Sequence, residues 1–264
     1  MTWRTGLTEI EPGAIRVRGY AQEELMGTVP FSDVVFLLFT GELPSPPESR
    51  LFSAVLTACV DHSVTPPSAH ATRLTTSGGA TLPSAVASGL IAIGDYHGGA
   101  MLELQKLLES IVEGADSETE IDERARETVR TYREAGDRVP GLGHRYHTVD
   151  PRAERIVSLL EEEGRDGQYL VALTAIRRHL AADGIELNPN VDGAIAVVLG
   201  ELGIDHELAQ AVFVVGRAAG LAAHAYEERT RETPMRKMGP RLDKVEYDGP
   251  PKRELPNDRS YEFT

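Results

Sequence analysis

Apolar residues in this chain recur at helical rather than strand spacing almost from end to end, and that period excludes most architectures at once. One short alternation, Ile15-Arg-Val17-Arg, ends at Gly19-Tyr20 and reads as a small hairpin or extended arm. Beyond it the pattern turns helical. Phe31–Phe39 is apolar and stops at Gly41 and Pro44, as a helix end does. Leu51–Asp61 is a second helix, Pro83 to Ile93 a third, and Ala100–Val112 a fourth, with Leu104, Leu107, Leu108 and Ile111 at helical intervals. The charged run Ser117–Ala135 predicts a solvated helix. Asp150-Pro151 supplies a cap and first position for a helix that ends near Gly164, and Gln168–Ala182, Asn190–Leu202 and Asp205–Arg231 complete the set. The Ser/Thr/Pro-rich segment His62–Gly79 and the Gly/Pro/His segment Arg138–Val149 are expected to be loops. With strands nearly absent, the α/β and all-β classes drop out. What remains is an all-α, multi-helical unit over 1–264, with a short extended N-terminal arm and an irregular C-terminal arm, Thr233–Thr264. A large helical domain (about 1–96 and 191–264) and a smaller lobe (about 97–190) are expected within it.

Composition narrows the function classes. The formal net charge of −14 leaves no basic stripe to neutralise phosphates, so general nucleic-acid binding is excluded. Arg greatly outnumbers Lys, which occurs only at 106, 237, 244 and 252; the acidic balance suits a salt-rich cytoplasm, and a GC-rich genome would give the same bias. No stretch of 18 consecutive apolar residues exists and the N-terminus lacks a signal-peptide core, so neither a membrane span nor export is expected. Cys59 is the only cysteine, which rules out an intrachain disulfide and a cysteine-based zinc site and fits a reducing, cytoplasmic compartment. It sits in an apolar run and reads as a buried small residue, not a nucleophile.

Three segments concentrate polar groups in apolar surroundings. In Gly94-Asp-Tyr-His97-Gly-Gly, glycines flank His97 and allow a ligand or another backbone to approach it. In Pro140-Gly141-Leu142-Gly143-His144-Arg145, followed by Asp150-Pro-Arg152, a glycine-rich loop offers backbone N–H groups and two arginines to an anion. In Asn188-Pro-Asn190-Val-Asp192, a carboxylate enters a very apolar helix, where it is either a cap or a base made stronger by desolvation. Each alone is as readily structural as functional.

Taken together and in this order, the three segments resemble the citrate synthase superfamily. Arg18-Gly19-Tyr20 with Phe31–Pro44, Asp61-His62 with Ser68-Ala69-His70, and Gly216-Arg217 through His224 extend the resemblance along nearly the whole chain. It implies an all-α fold, a homodimer, no metal, no permanently bound cofactor, and a coenzyme A thioester as co-substrate beside a di- or tricarboxylate. By motif match, Asp192 would move the proton on the methyl carbon of acetyl-CoA, His97 would bond the thioester oxygen, and His144 the keto or alcohol oxygen of the four-carbon partner. His62, Arg152 and Arg217 would hold carboxylates, and Pro140, Gly141, Leu142, Gly143 and Arg145 would lie against the coenzyme. His70 and His224 read more readily as structural residues than as groups standing behind the site, and His147, His179 and His206 read as surface residues.

Two directions of reaction share this machinery. The Gly-Ala-Ile after Asp192 and the Gly-Leu-Ile-Ala-Ile-Gly-Asp entering His97 look more like the citryl-CoA-cleaving module of ATP-citrate lyase than like a synthase, and so favour citryl-CoA cleavage over the alternatives, citrate or 2-methylcitrate synthesis or a non-catalytic family member that binds coenzyme A. Where the family commonly carries an Arg before a Pro near the C-terminus, reaching the partner subunit's substrate, this chain reads Met238-Gly239-Pro240; Arg236 or Arg241 is the candidate substitute.

Overall fold

The computed structural model describes residues 2–144, 147–240 and 242–254. The predicted N-terminal hairpin gains a third strand. β1 (Thr8–Glu11), β2 (Ala14–Val17) and β3 (Tyr20–Ala21) form an antiparallel sheet in that order, with Glu11 opposite Ala14 and Val17 opposite Tyr20. Gly13 and Gly19, at φ 81° and 89°, take the left-handed backbone that these turns require.

Among the described residues the remaining regular structure is helical. The α-helices are α1 (Gln22–Leu25), α2 (Phe31–Thr40), α3 (Pro46–Cys59), α4 (Pro67–Ser77), α5 (Leu82–Ile91), α6 (Gly99–Val112), α7 (Glu118–Ala135), α8 (Pro151–Glu162), α9 (Gln168–Ala182), α10 (Val191–Glu201) and α11 (Ala209–Arg231), with 3-10 turns at His206–Leu208 and Leu242–Lys244. Local chemistry sets the boundaries. Ser45 and Glu48 form a capping box before Pro46, which explains why α3 begins earlier than its apolar residues suggest. Gly41 ends α2 at φ 92°, and Asp150 accepts the Arg152 N–H at 3.0 Å to open α8.

One expectation fails. The segment His62–Gly79 is not largely loop, because α4, Pro67–Ser77, occupies most of it. Ser68, Thr72 and Thr76 recur at four-residue spacing and are all buried, with Thr76 Oγ1 donating back to the Thr72 carbonyl at 2.8 Å. Their smallness is what the packing uses, since α5 and α11 both lie against this helix. A β-carbon on Gly89 of α5 would stand 2.0 Å from Thr72 Oγ1 and 2.7 Å from the Ser68 carbonyl. Polar composition concealed a helix whose stripe is defined by size rather than hydrophobicity.

The main core runs through α2, α3 and α6 to α11. At its centre lies α10, whose residues Ala194 to Leu199 are all 0–1% exposed and which packs on α3, α6, α8 and α9. Helix α11 with its leading turn is long and apolar enough, by length and composition, to cross a bilayer, but Arg217, His224 and Glu228 are buried along it against α3 to α6. It is a core helix. Past α11 the chain returns to the end of α4, where Met235 N donates to the Ser77 carbonyl at 2.9 Å and Arg236 N to Ser77 Oγ at 3.2 Å. Gly89→Ala is expected to cost about 1–3 kcal/mol through the forced separation of α4 and α5, read as a lower melting temperature.

Candidate active site

Helix α5 passes to α6 through a tight reversal. Gly94 and His97 exchange both backbone hydrogen bonds, at 3.1 and 2.8 Å, and Gly98 at φ 94° starts α6. A β-carbon on Gly98 would stand 3.0 Å from the Phe213 ring, the same ring that the His97 imidazole meets edge-on with centroids 5.7 Å apart. His97 Nε2 lies 2.8 Å from Ser68 Oγ in the first turn of α4. A hydroxyl donating to Nε2 leaves the ring proton on Nδ1 as the donor. Burial, and then the charge of Arg217, lowers the His97 pKa, so the ring is neutral at neutral pH.

The second segment is pressed onto the start of α10. Gly143 N donates to the Asn188 carbonyl at 2.8 Å, and Asn190 N to the Gly141 carbonyl at 3.1 Å. The Asn190 side chain closes the contact from both ends: its Nδ2 donates to the Gly143 carbonyl at 2.9 Å and its Oδ1 accepts the Gly193 N–H at 3.1 Å. A β-carbon on Gly193 would sit 2.3 Å from the Gly141 carbonyl oxygen, so the two backbones touch where no side chain fits. His144 leaves this loop and lines the same cavity as Asp192, which lies in the first turn of α10. The His147 N–H donates to His144 Nδ1 at 3.2 Å, which places that ring's proton on Nε2, and burial lowers the His144 pKa.

Asp192 is the acid of the site. A helix N-terminus favours a carboxylate, yet burial outweighs it and pushes the Asp192 pKa up; Arg152 and Arg217 act in the opposite sense and Asp150 adds to the rise. Among the described residues no group hydrogen-bonds its carboxyl. The result is a carboxyl group poised to exchange a proton rather than to cap a helix, a task Asn190 performs.

Two guanidiniums complete the arrangement. Arg152 grips Asp150 with Nε and Nη2 at 3.0 and 2.8 Å, and Asp150, 1% exposed, also accepts the Val191 N–H at 3.2 Å, joining the starts of α8 and α10. Arg217, 3% exposed, donates from Nε to the Cys59 carbonyl at 2.8 Å and lies 4.9 Å over the Phe213 ring. Among the described residues its Nη1 is buried without a partner, a donor that an anion would satisfy. The His62 ring stands perpendicular to that of His144 with centroids 6.0 Å apart; burial, then Arg152 and His144, lowers its pKa.

His62, His97, His144, Arg152, Asp192 and Arg217 line one cavity of about 400 Å³, together with Tyr96, Gly143, Asn190 and Phe213. Leu142, Gly143 and His144 also border an adjoining cavity of about 480 Å³ that includes Arg133 and Arg138. Pro140 faces a third hollow with Lys106, while Gly141 is buried against Gly193 and supports the loop from behind. Arg145 and Arg241 lie outside the described residues. Arg236 is engaged within its own chain, its Nε and Nη2 2.5 and 2.7 Å from the Glu228 carboxylate.

Other histidines divide differently from expectation. His70 is exposed and does not line the cavity. His179 and His206 are only partly exposed, paired with Asp122 at 2.6 Å and Glu109 at 2.7 Å, and His147, though exposed, has its ring 4.7 Å from that of His144 at a tilt of 34°. Burial pushes the Cys59 thiol up to about 12, which makes it inert. Among the described residues no group of three His, Cys, Asp or Glu side chains is arranged to hold a metal ion. Sequence reasoning missed the role of Ser68, whose signal was its place in the disguised helix α4, and that of Phe213, for which no local signal exists.

An all-helical fold that gathers one desolvated acid, three neutral imidazoles and two guanidiniums around a single cavity has the makings of an acid–base enzyme for anionic substrates. The chain belongs to the citrate synthase family, whose C-terminal domain matches residues 44–238. The structure is similar to citryl-CoA lyase from Hydrogenobacter thermophilus, with 36% identity, a TM-score of 0.88, and coverage of 97% of this chain and 98% of that one. It is also similar in fold to ATP citrate lyase from Methanothrix soehngenii, at 19% identity and a TM-score of 0.80, covering 95% of this chain and 42% of that one. Citrate synthase 2 of Bacillus subtilis is 30% identical over 221 residues, 81% of this chain and 55% of that protein. The chain spans 33% to 55% of the length of the first curated relatives it matches.

Ser68→Ala should lower kcat up to about tenfold, the worth of one neutral hydrogen bond, without lowering the melting temperature appreciably. Asp192→Asn should cost about 10²–10⁴ in turnover and yet stabilise the fold at neutral pH. The folded-state pKa of Asp192 is raised above the ordinary 3.8, so the wild-type protein loses stability relative to the variant as pH rises from about that value through the raised one, and no further above it. Chemical denaturation at a series of pH values reads this; a difference that shrinks with rising pH contradicts the desolvated acid.

Proposed function

We propose that the chain is a citryl-CoA lyase, cleaving citryl-CoA to acetyl-CoA and oxaloacetate. The observation that carries this reading is the end-to-end likeness, in both directions, to the Hydrogenobacter thermophilus citryl-CoA lyase. The cavity supports it chemically. A relative of the same fold has been solved with citrate and coenzyme A, and another with (3S)-citryl-CoA, which are the ligand classes that two arginines and an unsatisfied buried donor suit.

In cleavage the central carbon–carbon bond breaks, its electron pair passes into the enolate of acetyl-CoA, and the alcohol becomes the ketone of oxaloacetate. His97, held by Ser68, donates a hydrogen bond to the thioester oxygen on which the enolate charge gathers. Asp192, its pKa raised, delivers a proton to the new methyl carbon and would remove it in condensation. His144, a donor at Nε2, bonds the oxygen that is alcohol in citryl-CoA and ketone in oxaloacetate; the hydroxyl proton leaves to solvent in the open cavity, and its loss balances the proton that Asp192 delivers to carbon. His62, Arg152 and Arg217 hold the carboxylates. The coenzyme lies along the 140–143 loop, with the adjoining cavity, bordered by Arg133 and Arg138, open to its phosphates.

The protein acts as a homodimer in a reducing, cytoplasmic compartment. Leu74, Ile91 and Tyr226, 52%, 83% and 65% exposed on α4, α5 and α11, supply an apolar face for a second copy. Residues 97–190 form the smaller lobe that closes the cavity over the substrate.

A coupled assay run in both directions tests the reading. Oxaloacetate release from citryl-CoA is expected, and His97→Ala should slow it about 10²–10³-fold; robust condensation of acetyl-CoA with oxaloacetate, with no detectable citryl-CoA cleavage, overturns it in favour of a synthase.

A further inference from the structure

We infer that Arg73 and His224 are positioning residues, acting through Asp61 to hold the turn that carries His62 into the cavity. None of the three lines that cavity, and each is joined to the next by a hydrogen bond.

Arg73, on α4 and 6% exposed, presents Nη1 3.2 Å from His224 Nδ1. A guanidinium only donates, so His224 Nδ1 must accept and the ring proton must reside on Nε2. That Nε2 is 2.8 Å from Asp61 Oδ1 and donates to it. The other carboxylate oxygen of Asp61 accepts the Ser63 N–H at 2.9 Å. Ser63 takes the left-handed backbone at φ 64°, a conformation a non-glycine residue keeps only when its surroundings hold it. The order of donors is thus fixed from a buried cation, through an imidazole, to the carboxylate that pins the residue after His62.

The rest of the surroundings anchor both ends of this relay. Arg73 Nε and Nη1 stand 2.9 and 2.8 Å from the carboxylates of Glu228 and Glu227, and Glu228, 2% exposed, also receives Arg236. Behind the turn, a β-carbon on Gly220 would sit 2.0 Å from the Val60 carbonyl oxygen, so α11 bears directly on the residue where the turn starts. Burial alone would raise the pKa of Asp61, and the N–H of Ser63 and the His224 donor more than offset it, keeping the carboxylate ionised.

His62 is, in the function proposed above, a group that grips a substrate carboxylate, and the kinetic part of the inference rests on that reading. Loss of the relay displaces His62 while leaving Asp192, His97 and Ser68 in place, so it weakens substrate binding and spares the proton chemistry. His224→Leu, which keeps volume but neither donates nor accepts, is expected to raise KM for citryl-CoA roughly tenfold, the worth of a hydrogen bond to a charged group, with kcat within about twofold. His224→Gln, whose amide can accept from Arg73 and donate to Asp61, should recover most of the loss. A second readout needs no turnover and no variant. In ¹⁵N-histidine-labelled wild-type protein, the His224 ring should show a protonated Nε2 and a bare Nδ1. An Nδ1–H or doubly protonated ring overturns the relay even if the enzyme cleaves citryl-CoA, as does a folded His224→Leu with unchanged KM. Absence of wild-type turnover with the expected tautomer overturns the lyase reading and leaves the relay standing.

Discussion

The contact between Gly141 and Gly193 is the constraint from which the site follows. A β-carbon on either residue would collide with the other's backbone, and Asn190 stitches the two segments together with one side chain. The loop after α7 therefore meets the first turn of α10 at backbone distance, and the residues that leave that meeting point are His144 and Asp192. Because α10 is buried against α3, α6, α8 and α9, the acid is carried on a helix that its neighbours enclose. The proton transfer proposed for Asp192 demands that kind of placement, since misplacement by an ångström can cost two orders of magnitude.

The electrostatics of the cavity run against those of the whole. The chain has a formal charge of −14, yet its cavity holds Arg152 and Arg217 and three imidazoles whose pKa values burial pushes down. Neutral rings can donate without adding charge, so the guanidiniums set the sign of the field while the histidines direct individual hydrogen bonds. Arg152 is partly neutralised by its fork to Asp150, and Arg217 keeps an unmet donor. The two cations are therefore not equivalent: one is a strut between α8 and α10 that also borders the cavity, and the other is the stronger anion receptor.

Much of this was legible in the chain itself, for identifiable reasons. Glycines at 98, 141 and 193 stand where backbones or rings approach too closely for a β-carbon, and they flank the chemical residues, so the motif and the geometry have one cause. Caps such as Asp150-Pro151 placed helix starts correctly because they act over two residues. Helix α4 was not legible, since its buried stripe is Ser68, Thr72 and Thr76 and its selection is for small volume, which polarity scales misread. The partners of distant residues were invisible for a different reason. Arg73 and His224 are separated by 151 positions, and nothing local in either segment encodes a tautomer shared between two helices.

The two sides of the cavity are consequently built by different physics. His144 and Asp192 are located by backbone against backbone, an arrangement that tolerates no substitution of volume and stores its precision in shape. His62 is located by a turn whose strained Ser63 is held through side-chain hydrogen bonds to Asp61 and His224. Hydrogen bonds between side chains can be altered one at a time, whereas a glycine–glycine contact cannot. The face that His62 forms can therefore be retuned by single substitutions without disturbing the face that carries His144 and Asp192.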